Sequence, residues 1–178
     1  MKYDRIVTEP MPPWTERDGV ISFSVTSNGM SGKAWIAHFE AKGSPVGMFA
    51  TSVLLSPRFV PTNGVTTEIR VLKGILWQSD RARTSENIRE EATRRELVKP
   101  NAELACLIRD MFSDAEIAAM GLWGIVAMHD PIEGSHGNSN LLTAYCRGDY
   151  SLHPYDDRPD RQWDDYFGFA FVVASQVS

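Results

Sequence analysis

The order of apolar segments predicts an α+β domain, a mostly antiparallel sheet of about four or five strands with helices segregated to one face. Three observations carry this expectation. Strand-like material comes early, at residues 20–25 and 66–77. Helical spacing fills the middle, from Thr84 to Gly121, and three apolar runs (122–128, 141–146 and 167–174) close the chain. Strands first, helices in the middle and strands last is the pattern of a sheet with its helices gathered together, not of an alternating βαβ chain.

Taken in order, residues 1–19 are rich in proline and charge, with Pro10, Pro12 and Pro13 close together. Proline fixes φ and removes a donor, so an extended arm is expected, with Trp14 anchoring it to the body. Residues 20–178 are then a single α+β domain. The run Val20-Ile-Ser-Phe-Ser-Val25 alternates as a half-buried strand does and ends at Ser27-Asn28-Gly29. Ser31 caps a short helix that presents Trp35, Ile36 and Phe39 on one side and closes at Gly43. Val46, Phe49, Ala50, Val53 and Leu54 have helical spacing, and Pro57 stops that segment. Residues 66–77 are β-rich, with Gly74 as a candidate bulge.

Residues 84–97 form a charged helix capped by Thr84, whose acids and bases are spaced to pair along a solvated face. Pro100 suits the first turn of the next helix. From Ala102 to Phe112 little polar face remains, so this should be the buried central helix. Ser113 and Glu116 make a capping box for a third short helix that ends at Gly121.

Composition excludes more than it assigns. A chain of 178 residues with 43% hydrophobic and 23% charged side chains is long enough to bury a core without disulfides or metal. A net charge of -5 argues against an extended nucleic-acid surface. No apolar run reaches the roughly 18 residues of a membrane span. No apolar signal core follows Met1, and Cys106 and Cys146 are far apart in apolar surroundings, so a cytoplasmic protein is expected.

Two polar loops leave the final strands. The first, 129–140, carries His129, Asp130, Glu133 and His136. Two imidazoles and a carboxylate are a ligand set for a divalent metal with an open position for water, with His129, Glu133 and His136 as ligands and His129 and Asp130 as acid–base groups. Pro131 prevents a helical His-Glu-x-x-His arrangement. The preferred reading is a polar hairpin loop whose Asp and His bond to the loop backbone, with the metal or acid–base site as its alternative. The second loop, 150–166, holds His153, Asp156, Asp157, Asp160, Asp164 and Asp165, with Arg158 and Arg161 as internal counter-charges and no EF-hand spacing. Trp163 beside Arg161 has the composition of a binding hot spot if it is exposed, with His153 beside them, but the favoured reading is a tryptophan that covers the sheet edge. Glycines 29 and 32 are too close for a phosphate loop, and neither cysteine has a paired base.

No catalytic motif is complete. The reading adopted is a small non-enzymatic binding protein, acting on a protein partner or on itself through loops 129–140 and 150–166. The alternative is a small metal-dependent or acid–base hydrolase centred on His129, Asp130, Glu133 and His136.

Overall fold

The computed structural model describes residues 11–175. Five helices and a nine-stranded sheet are built from these residues. The strands are β1 (Thr15–Arg17), β2 (Val20–Asn28), β3 (Asn63–Lys73), β4 (Leu97–Val98), β5 (Gly124–Ala127), β6 (Ile132–Glu133), β7 (Ser139–Tyr145), β8 (Leu152–Asp156) and β9 (Phe167–Val173). The helices are α1 (Gly32–Ala41), α2 (Met48–Leu54), α3 (Ser85–Arg94), α4 (Glu103–Met111) and α5 (Asp114–Ala119), with a 3-10 turn at Gly74–Leu76. The class is as expected, but four or five strands was an undercount. The extra strands β1, β4 and β6 have two or three residues each, too few for alternation to register. The fourth, β8, contains Pro154, which argued for a loop.

The sheet runs β1-β2-β3-β9-β5-β7-β6, with β4 added beside β9 and β8 beside β7. All pairs are antiparallel except β5 with β9. Of the segment expected as an arm, residues 1–10 lie outside the described residues. Thr15–Arg17 is hydrogen-bonded to β2 as an edge strand, and Trp14 packs against the core.

Alternation along the strands divides the apolar side chains into two layers. Ile21, Phe23, Ile69, Val71 and Ala170 face α1, α2, α4 and α5, where Trp35, Phe39, Val53, Ile108 and Ile117 complete the larger core. Leu72, Val126, Leu141, Phe169 and Phe171 face the other way. There they meet Ile88 and Ala92 of α3, together with Trp163. The helices are therefore not all on one face. α3 reads as a solvated helix because only Ser85, Ile88 and Ala92 are buried on it, one narrow stripe.

Local capping follows the sequence closely. Ser31, Thr84 and Ser113 each accept a backbone N–H three residues on, and Ser113 with Glu116 forms the full capping box. Gly43 and Gly121 follow α1 and α5 at φ 77°, the left-handed conformation that closes a helix. Pro100 stands before α4 rather than in its first turn. Gly74 opens the 3-10 turn instead of forming a bulge.

A candidate binding cleft beside strand β8

The loop after β5 is held by its own histidine. β7 pairs with β5 through residues 143–145 and with β6 through residues 139–140, so the stretch between is left opposite an interrupted strand. His129 fills that gap. Its Nε2 accepts the backbone N–H of Leu142 at 3.0 Å, which requires the proton on Nδ1, and Nδ1 donates to the Asp130 carbonyl at 2.7 Å. The side chain is 1% exposed, and burial pushes its pKa below the usual histidine value. Both ring nitrogens are committed to backbone, so neither is available to a metal or a substrate.

The other residues named from the loop point apart. Asp130 is exposed and pairs with Lys99 at 2.6 Å, a contact that lowers its pKa. Glu133 is exposed on β6. His136 lies against the ring of Phe49, centroids 4.9 Å apart. The ring of His153 lies tilted against those of Tyr145 and Tyr155, with centroids at 5.8 and 4.5 Å. Among the described residues no group of three or more His, Cys, Asp or Glu side chains is arranged to hold a metal ion.

Trp163, expected as a candidate exposed hot spot, is 2% exposed and donates from Nε1 to Ser85 Oγ at 2.9 Å. Arg161 lies over it, with its guanidinium 4.5 Å from the ring and 5.0 Å from Tyr155. Asp156 takes ion pairs from Arg158 and Arg161, and Asp157 is held by Arg89 at 2.6 Å. The second loop is thus pinned by internal charge pairs, as its arginines suggested.

What the two loops do share is a cleft of about 570 Å³ at the N-terminal end of α2. One wall is α2 itself, where Ala50, Val53 and Leu54 turn into the core and leave Met48, Phe49 and Ser52 facing out. The opposite wall is the hairpin turn 134–140. It is tightened by Gly134 N–H to Asn138 O at 3.0 Å and by Asn140 Nδ2 to Asn138 O at 2.8 Å, and tied to α2 by Ser135 N–H to Ser52 Oγ. The floor and third wall come from Tyr150, Leu152, His153 and Pro154. Ser151 donates its N–H to Pro45 O at 3.1 Å and its hydroxyl to Ser44, which ties the start of β8 to the segment leading into α2.

Three large apolar side chains stand open around this cleft: Met48 at 76%, Phe49 at 52% and Tyr150 at 51% exposure. Burying such a side chain stabilises by about 1.5–3 kcal/mol, so leaving three together in water forgoes a substantial gain. The sequence reading took residues 46–55 only as helix. Phe49, expected on the apolar stripe with Ala50, Val53 and Leu54, instead stands at the edge of that stripe and faces solvent beside Met48.

The chain was compared with protein families, curated proteins and solved structures, and it matches none of them. Among the described residues no helix is long and apolar enough to cross a membrane.

Proposed function

We propose that this protein is a binding module that seats part of a protein partner, or of a second copy of itself, in the cleft between α2, the turn 134–140 and the start of β8. The observation that carries the reading is the cluster of Met48, Phe49 and Tyr150, open to solvent around a concave site whose walls are cross-tied by hydrogen bonds. An exposed apolar patch rimmed by polar groups is the usual mark of an interaction site. The polar loop contributes shape and rim donors, with Ser135, His136 and Asn138 around an apolar centre. The hydrolase alternative has no specific observation in its favour, since His129 is spent on the backbone.

The test is site-directed photocrosslinking in an extract of the cells that make the protein. A benzophenone side chain replaces Phe49 in one chain and Val60, exposed but outside the cleft, in another. The expected result is a discrete adduct from position 49 only, competed by the unlabelled native chain but not by a Met48→Ser, Phe49→Ser chain. No adduct at 49, or the same adducts at 60, overturns the proposal.

A further inference from the structure

One respect sets the cleft apart from the other concave sites of the molecule: no Asp, Glu, Lys or Arg side chain lines it. Three other grooves carry both signs, with Lys42 and Asp110 between the ends of α1 and α4, Lys99 and Glu103 between β3 and the start of α4, and Arg17 and Asp18 over β1 and β2. Charged side chains make up 23% of the chain, so a cleft of about 570 Å³ without one departs from the composition around it. The carboxylates that flank it in sequence, Glu133 and Asp149, are exposed and stay out of the lining. Burial, and then Arg161, pushes the His153 pKa below the usual histidine value, so that ring adds no charge near neutral pH.

Two glycines bring the walls together. A Cβ on Gly47 would stand 3.3 Å from the Tyr150 ring, and one on Gly134 would stand 2.8 Å from Asn140 Nδ2 and 3.2 Å from Ser52 Oγ. Gly47 is also the N-cap of α2, so the helix forgoes a capping side chain at the point where the Tyr150 ring lies against it. The polar groups of the walls divide in two. Ser52 Oγ donates to the Phe49 carbonyl at 2.7 Å and accepts the Ser135 N–H at 3.2 Å, and Asn140 Nδ2 donates to the Asn138 carbonyl at 2.8 Å. These hold the shape of the cleft. The Asn138 side-chain amide and the hydroxyls of Ser135 and Tyr150 make no hydrogen bond among the described residues, and they face the same space.

We propose that the cleft takes an uncharged segment of a protein partner, its large apolar side chains seated against Met48, Phe49 and Tyr150 and its backbone bonded to Asn138 and Ser135, and that it rejects segments with an acid or a base at the seated positions. The proposal rests on the reading of the cleft as a protein-binding site and supplies the chemistry of what enters it. A charge carried into the cleft loses water and meets no counter-charge, a cost that an apolar side chain does not incur. An apolar side chain gains instead, because it covers three exposed apolar ones. Each residue of a peptide backbone brings one donor and one acceptor, and the Asn138 amide can pair with either. Selectivity then comes from exclusion as much as from attraction. Depletion of charge at the centre of a protein interface is the general pattern.

The experiment is selection from a random peptide library on the full chain, followed by titration of the enriched peptides. Three baits are used: the native chain, a Phe49→Ser chain and an Asn138→Lys chain. Both positions are exposed, and the turn uses the Asn138 carbonyl rather than its side chain, so the variants fold. The expected peptides carry aromatic or aliphatic anchors with no Asp, Glu, Lys or Arg beside them, and they shift the Tyr150 ring resonances. They bind Phe49→Ser about tenfold more weakly, and their affinity changes less than about twofold between about 0.05 and about 0.5 M salt. A Glu or Lys in place of the anchor weakens binding at least about tenfold. The Asn138→Lys chain admits acidic peptides that the native chain rejects. Charged anchors, steep salt dependence, the same peptide set from the Asn138→Lys chain, or no enrichment overturns the inference. Charged peptides that are lost on Phe49→Ser overturn it while leaving the cleft reading standing. Peptides that bind Phe49→Ser as tightly as the native chain overturn both. A neutral glycan that competes with the enriched peptides more tightly than they bind also overturns it.

Discussion

His129 makes a quantitative prediction possible because both its bonds are to backbone, the one from Leu142 fully buried and the one to Asp130 half-buried. Replacing it by leucine keeps the apolar volume but leaves the Leu142 N–H and the Asp130 carbonyl without their partner. The orphaned buried N–H costs about 1–3 kcal/mol and the half-buried carbonyl, which water can reach, about 1 kcal/mol, so His129→Leu should lose about 2–4 kcal/mol of stability. His129→Gln can still offer an oxygen to Leu142 and should lose less. The pH dependence follows from the lowered pKa of the folded imidazole, set mainly by burial. Below the ordinary histidine value the unfolded chain takes up a proton that the folded chain refuses, so stability rises with pH there. The His129 contribution is complete above the unfolded pKa and is lost as pH falls below it toward the folded value. The slope from this one group is at most ~1.4 kcal/mol per pH unit. His153, also lowered by burial and then by Arg161, adds a slope of the same sign in every variant. The difference between native and His129→Gln curves isolates His129. Urea unfolding at a series of pH values from about 5 to about 8 measures it, above the range where Asp110 and Asp130 titrate. Parallel curves for the native and Gln chains, or a His129→Leu chain as stable as the native one, would refute the reasoning.

Three further substitutions probe the scaffold. Arg83, only 3% exposed, donates to the carbonyls of Gly74, Trp77 and Trp163 and to Asp80, so Arg83→Ala should cost about 3–5 kcal/mol, read as a drop in thermal midpoint. Gly32→Ala places a Cβ 1.8 Å from the Leu54 carbonyl oxygen, a backbone clash that must separate α1 from the end of α2. Denaturant unfolding should show a loss of at least about 1–3 kcal/mol. Ser113→Ala removes one half of a capping box and should cost about 1 kcal/mol in the same assay.

Much of the frame was legible because it rests on local chemistry. The caps at Ser31, Thr84 and Ser113, the glycine stops and the apolar crowding of residues 102–112 act within a few residues, and each was readable in order. The short strands were not, because Leu97–Val98 and Ile132–Glu133 are strands only by virtue of the neighbours they pair with. The same limit governed the site. His129, Asp130, Glu133 and His136 look like a ligand set in one dimension. In three, the β5–β6 interruption draws His129 inward to satisfy a backbone donor 13 residues away. Trp163 beside Arg161 looked like a surface pair, but Ser85 gives its N–H a buried partner. The cleft was illegible because its walls come from three separated segments, and only the fold brings Phe49 to His136.

The most direct test of the binding reading is hydrogen–deuterium exchange on the complex captured through position 49, compared with the free protein. The expected result is slowed exchange confined to residues 47–52, 134–140 and 150–156, the walls of the cleft together with the rest of β8. Slowed exchange at the opposite edge of the sheet, around β1, with these segments unchanged, would contradict it.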